Sequence, residues 1–138
     1  MIKCIMPLEL DHLLEASAEG DVEKVKLLLD QGIDVNSANA QGWTALTNAA
    51  YNQHSELVKF LVKHGADVNH ANVNGTTVLM YAKSKIIGTQ NYQTLNYLLD
   101  NGADPTRKDL KRNWTILDYI QELGDQDLIN HIKNYRKK

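Results

Sequence analysis

The chain has 138 residues, 43% of them hydrophobic and 23% charged, with a formal net charge of −2. This balance excludes a disordered or membrane-embedded chain, and no apolar run approaches the roughly 20 residues that a spanning helix needs. The one cysteine, Cys4, allows no internal disulfide, and the first residues lack a basic stretch followed by an apolar run and a small-residue cleavage site, so a cytoplasmic setting is expected.

In chain order, the first apolar segment with clear helical spacing is Val25, Leu28 and Leu29, followed by Gly32-Ile33-Asp34. The pattern returns as Val58, Leu61 and Val62 before Gly65-Ala66-Asp67, and as Leu95, Leu98 and Leu99 before Gly102-Ala103-Asp104, at intervals of 33 and 37 residues. Each triplet has the i, i+3, i+4 spacing that puts three side chains on one helix face. The glycine after it can end the helix in a left-handed conformation. Short apolar segments opened by threonine follow the glycines: Thr44-Ala45-Leu46, Thr77-Val78-Leu79 and Thr115-Ile116-Leu117. A threonine hydroxyl there caps the free amides of a first turn. The small Ala49, Ala50 and Ala82 let that helix lie close to a neighbour. The unit is a capped short helix, a turn, a second helix, a glycine stop and a polar extended connection. One such unit cannot cover its own apolar side, but stacked units can.

These residues resemble ankyrin repeats. Gly42-Trp43-Thr44-Ala45-Leu46-Thr47-Asn48-Ala49-Ala50 matches the family's opening motif, and Leu61-Val62-Lys63-His64-Gly65-Ala66-Asp67-Val68-Asn69 its ending. The resemblance covers nearly the whole chain as one domain, 1–138, with four units at about 8–40, 41–73, 74–110 and 111–135. The family's proline after the capping threonine is replaced by Ala45, Val78 and Ile116. Asp11 stands at the threonine position of the first unit, and the last unit lacks the Gly-Ala-Asp ending, as suits terminal caps. The third unit carries four extra residues between Ala82 and Leu95, a stretch expected to lengthen a helix or loop and to expose Ile87 or Tyr92. The resemblance implies an all-α solenoid of stacked helix-turn-helix units with hairpin-like connections. It gives His54, at the family's turn histidine, a structural hydrogen bond, and hydrogen-bonding roles to Asn36 and Asn69.

The resemblance further implies a partner docked on the concave face, on hairpin tips and first helices. Carried over by position, the candidate contact residues are Trp43, Thr76 and Trp114 at the tips, and Glu15, Asn48, Tyr81 and Tyr119 on the first helices. Glu19, Asn52 and Lys85 lie one turn further on. Rings of this kind anchor protein interfaces; the plainer alternative is that they fill gaps between units. Charge is uneven as well: residues 1–34 hold eight acids against three lysines, and residues 107–138 hold eight bases against five acids. Such unlike ends can steer a partner or solubilise the two end units.

No catalytic or metal-ligating set emerges. The five histidines, His12, His54, His64, His70 and His131, fall in different units, and no Cys-x-x-Cys, His-Glu-x-x-His or phosphate loop is present. The sequons at Asn74 and Asn113 are formal only. The expected function is therefore non-enzymatic protein binding as an adaptor, inhibitor or scaffold, by a monomer with no cofactor and no metal. Two alternatives stand beside it: a nucleic-acid or anionic-surface contact through Lys133, Arg136, Lys137 and Lys138 in the basic last unit, and self-association through the charged ends.

Overall fold

The computed structural model describes residues 7–135, so Cys4 and the terminal Arg136, Lys137 and Lys138 lie outside the described residues. Eight helices follow one another: α1 (Pro7–Glu19), α2 (Val22–Asp30), α3 (Ala45–Tyr51), α4 (Ser55–Lys63), α5 (Val78–Ala82), α6 (Gln93–Asp100), α7 (Ile116–Leu123) and α8 (Gln126–Lys133). They associate as four consecutive pairs. The first helices stack α1 on α3 and α3 on α5, and the second helices stack α2 on α4 and α4 on α6. Among the described residues there is no named strand; the connections are hairpin-like, with one isolated bridge between Ala71 and Thr77. This is the expected all-α stack. None of the described helices is long and apolar enough to cross a membrane.

The threonines start helices as the spacing predicts. Thr44 and Thr77 accept the amides of Thr47 and Met80 at 3.2 and 3.3 Å. Thr115 forms a full capping box, taking the Asp118 amide while the Asp118 carboxylate takes its own. Asp11 differs: α1 begins at Pro7, so Asp11 is an exposed residue inside the helix rather than its cap. The glycine stops close the second helices by paired bonds. Gly65 donates to the Val62 carbonyl and Ala66 to that of Leu61, and Gly102 and Ala103 do the same to Leu99 and Leu98.

Packing follows from side-chain size. Ala16, Ala45, Ala49, Ala50 and Ala82 are fully buried where the first helices meet, and Leu13, Val25, Leu57, Leu61, Leu98, Ile120 and Leu128 fill the space between helix pairs. Polar ties fix the spacing of the stack. The Asn36 amide donates to the Gly65 carbonyl at 3.0 Å and accepts from the Asp67 amide at 2.8 Å. Asn69 repeats both bonds to Gly102 and Asp104. His54 reaches back to the Ala18 carbonyl at 2.8 Å, with Gly20 lying against its ring. Hairpin tips are joined as well, Val73 donating to the Gln41 carbonyl and Leu110 to that of Asn74.

The extra residues of the third unit lengthen the connection between α5 and α6, but Ile87 and Tyr92 are not exposed as the sequence suggests. α5 stops at Ala82, and the chain continues through turns that bury Ile86 in the core and half-bury Ile87 and Tyr92. The stretch then docks on the fourth pair. Gly88 donates to one oxygen of Asp125, whose other oxygen caps α8, and Gln90 donates to Asp127, each at 2.8 Å. The Tyr92 ring lies 4.2 Å from that of His131. Apolar side chains in the insertion found cover because the adjoining pair offered it.

Gly75 and Gly65 both have positive φ, but a Cβ on Gly75 would stand 2.7 Å from the Leu110 amide nitrogen whereas one on Gly65 would meet open space. Gly75→Ala should therefore lower unfolding stability by about 2 kcal/mol or more, and Gly65→Ala by about 1 kcal/mol. Urea midpoints of the two variants check this; equal losses would contradict the tip-to-tip packing.

Candidate functional site

Each hairpin tip is built around one side-chain acceptor. Asn39 takes the amides of Gln41 and Trp43, Asn72 those of Asn74 and Thr76, and Asp109 those of Arg112 and Trp114, all at 2.9 to 3.1 Å. Short polar side chains suit this because they can satisfy turn amides that have no ladder partner. Asn72 and Asp109 are buried. Their remaining capacity is used toward the first helices: Asn72 donates to the Tyr81 hydroxyl at 2.7 Å, and the Tyr119 hydroxyl donates to Asp109. Tips and first helices thus form one surface, clasped at two tyrosines.

The electrostatics follow from that clasp. Burial alone would raise the Asp109 carboxyl, but the bonds from Tyr119 and from the amides of Trp114, Arg112 and Asn113 outweigh it and hold it below the ordinary carboxylate value. Tyr119 is pushed up to about 12 by burial and by the carboxylate it serves. Tyr81 is also raised, by burial first, against the opposing effect of Thr76 and Asn72.

Two aromatic groups line this surface. Trp43 lies 4.5 Å from Tyr81 across the junction of the second and third pairs, and Tyr51 meets both rings edge-on at 6.0 and 5.9 Å. The Lys85 ammonium sits 4.7 Å above Tyr51 and donates to Asn52 at 2.7 Å. In the fourth pair Trp114 and Tyr119 meet at 5.0 Å, with the Arg112 guanidinium 4.8 Å over the indole and Lys83 5.4 Å over the phenol ring. Arg112 also pairs with Glu122 at 3.1 Å, an exposed pair that contributes little by itself.

Along this surface two shallow crevices lie between pairs. One of about 380 Å³ separates the first two pairs and is bordered by Asp11, Glu15, Asn39, Trp43 and Asn48. Another of about 300 Å³ separates the last two, bordered by Thr76, Tyr81, Lys83, Asp109, Lys111 and Tyr119. The residues singled out from sequence are therefore brought onto one surface but split between stations. Glu15, Trp43 and Asn48 share the first crevice. Thr76, Tyr81 and Tyr119 share the second, with Trp114 beside Tyr119. Asn52 and Lys85 are bonded to each other between them. Glu19 is exposed at the end of α1 and borders neither crevice. Trp43 lies in contact with a ring of the next unit, as the gap-filling alternative has it.

Sequence reasoning passed over Tyr51, Lys83 and Arg112. Tyr51 was legible, because it lies three residues after Asn48 on the same helix face. Lys83 was not: its ring partner, Tyr119, belongs to the next unit and is brought to it only by the stacking of the fourth pair on the third. Four of the five histidines, His54 among them, serve the scaffold. His70 bonds the Gly42 carbonyl at 2.7 Å, His64 that of Phe60, and His131 the Asn96 amide oxygen at 2.6 Å. Among the described residues no three His, Cys, Asp or Glu side chains are grouped to hold a metal ion.

Residues 13–109 match the family model for ankyrin repeats in three copies. Over 113 residues the chain is 33% identical to the human mitochondrial disaggregase, which covers 81% of this chain and 15% of that protein. It is 43% identical over 48 residues to mouse ankyrin repeat domain-containing protein 40, covering 34% of this chain and 13% of the relative. A frog protein, the Notch-regulated ankyrin repeat-containing protein of Xenopus laevis, is 42% identical over 45 residues, 33% of this chain and 40% of its own length. The chain thus spans well under half of these curated relatives.

Two substitutions test the clasp. Tyr119→Phe removes a donor to a buried carboxylate and should lower unfolding stability by about 2 kcal/mol, against about 1 kcal/mol for Tyr81→Phe, where both partners are neutral. Because the Asp109 carboxyl is depressed in the folded state, its stabilisation is present above the ordinary carboxylate value near pH 4 and is lost as pH falls through the folded value. Asp109→Asn should accordingly show a shallower loss of stability on acidification than wild type in chemical denaturation across pH 2 to 6.

Proposed function

The chain belongs to the ankyrin-repeat family, whose members are generally protein–protein interaction modules, and on that premise we propose that it is a non-enzymatic adaptor, inhibitor or scaffold that holds another protein on the concave surface made by its hairpin tips and first helices. Four units make up the module, the pairs α1/α2 and α7/α8 serving as caps. A cytoplasmic site of action belongs to the same reading and rests on the lone Cys4.

The observation that carries the proposal is a linked group of rings, overlaid by cations, along that one surface, with two of the rings tied to buried tip residues. Trp43, Tyr51, Tyr81, Trp114 and Tyr119 stay half-exposed there, although the core has no shortage of fully buried leucine and isoleucine. The Tyr81 and Tyr119 rings are held by hydroxyl bonds with the buried Asn72 and Asp109, and rings held in this way lose little freedom on docking, which favours affinity. The cations above the Tyr51, Trp114 and Tyr119 rings add positive charge to the same surface. The second helices carry half-exposed rings as well, Phe60 on His64, Tyr97 under Lys59, and Tyr92 and Tyr135 beside His131, together with the exposed Leu27, but none of these is tied to a hairpin tip.

The test is affinity capture from the native lysate with identification by mass spectrometry. Wild type and the Tyr81→Phe/Tyr119→Phe variant should retain the same partner, since the rings persist. Tyr81→Ala/Tyr119→Ala should lose it, and Leu27→Ala should retain it. A partner kept by the alanine variant and lost by Leu27→Ala would place the contact on the second helices and end this reading.

A further inference from the structure

Charge is unevenly neutralised along the proposed binding surface. In the crevice between the third and fourth pairs, Lys83 is half-buried and Lys111 stands at the rim. Among the described residues neither takes part in an ion pair; the one cation there that does is Arg112, with Glu122. The carboxylate bordering the crevice, Asp109, is committed to Tyr119 and to two tip amides. Lys83 has only the Tyr119 ring beneath it, and burial pushes its ammonium below the ordinary lysine value. A half-buried ammonium without a counter-charge is a destabilising arrangement that an incoming carboxylate would relieve.

The surroundings narrow the kind of carboxylate. Val73 and Leu110 are 59% and 78% exposed and adjoin crevice residues along the chain, Val73 next to Asn74 and Leu110 between Asp109 and Lys111, so exposed apolar side chains stand on the hairpin tips that carry the cationic seat. At the other end of the same surface the border residues are Asp11 and Glu15. A long polyanion laid along the groove would run from unpaired lysines onto carboxylates, whereas a short acidic stretch with apolar neighbours meets complementary groups throughout.

We propose, building on the concave-surface reading above, that the crevice between the third and fourth pairs seats a short acidic segment of a partner protein, with Lys83 and Lys111 taking its carboxylates and Val73 and Leu110 its apolar side chains. Charge complementarity makes the contact weaken as ionic strength rises, to the extent that the seat remains open to water.

The experiment is selection of a phage-displayed random peptide library on the full chain, in parallel on wild type, Lys83→Met/Lys111→Met and Tyr81→Ala/Tyr119→Ala, each checked for folding by circular dichroism. Methionine keeps the packing of the lysine stems. Peptides selected on wild type should be enriched in Asp and Glu beside an apolar residue. A synthetic peptide of the most enriched sequence should bind the methionine variant roughly tenfold or more weakly. Lys83→Glu/Lys111→Glu should shift selection toward Lys and Arg.

Peptides that depend on Tyr81 and Tyr119 but carry no acidic enrichment, or acidic peptides that bind the methionine variant undiminished, overturn this inference and leave the concave-surface reading standing. Peptides indifferent to all three substitution sets, or no peptide enriched at all, overturn both. A single-stranded oligonucleotide that displaces the acidic peptide and binds more tightly than it would make the seat a nucleic-acid contact and overturn the proposal, as would a mass that rises with concentration and falls in Lys83→Met/Lys111→Met, which would make the occupant a second copy.

Discussion

A pair of short helices has an apolar side that it cannot cover by itself, and every other feature of this molecule follows from covering it with the next pair. The cover is close because alanines stand where the first helices meet and leucines fill the space between pairs. Stacking in one direction leaves the hairpin tips and one side of the first helices uncovered along the whole length. The surface available for recognition is therefore what remains after stability has been satisfied.

Polar ties govern how accurately the pairs are spaced. Asn36 and Asn69 each bond both a carbonyl and an amide of the following connection, so neighbouring pairs are held at a fixed rise by groups that would otherwise need water. The series stops at Thr106, which turns back onto its own Asp104, and beyond it the fourth pair is secured differently. The insertion of the third unit supplies part of that attachment through Gly88, Gln90 and Tyr92, and Asn96 of α6 supplies more by bonding His131 and Tyr135. A departure from the repeat length thus compensates for a missing repeat feature.

The tyrosines combine two roles that sequence treats as alternatives. Tyr81 and Tyr119 are tied at their hydroxyls to buried tip residues, while their rings face the surface with tryptophan neighbours and cations. Removing a ring therefore alters both surface and support, which is why hydroxyl and ring have to be separated experimentally. The buried Asp109 is central here, because one side chain shapes the tip, orients Tyr119 and leaves Lys83 without a counter-charge.

Much of this was legible in order along the chain. Thr44, Thr77 and Thr115 announced helix starts, Gly65 and Gly102 announced stops, and the leucine triplets announced the faces that pack, because capping, left-handed backbone and helical periodicity are local properties that need only a few neighbouring residues. The pairing of units and the shared surface for Trp43, Tyr81 and Tyr119 came from the repeat itself. What only the tertiary structure decided depends on residues far apart in sequence. Ile87 and Tyr92 became half-covered because the fourth pair lies beside them, Lys83 met Tyr119 because that pair stacks on the third, and Asp109 became a buried acceptor because Tyr119 closed over it. Local codes determine which helices form, but the environment of a side chain is set by whichever distant surface reaches it first with cover or a hydrogen bond, and that choice belongs to the packed stack.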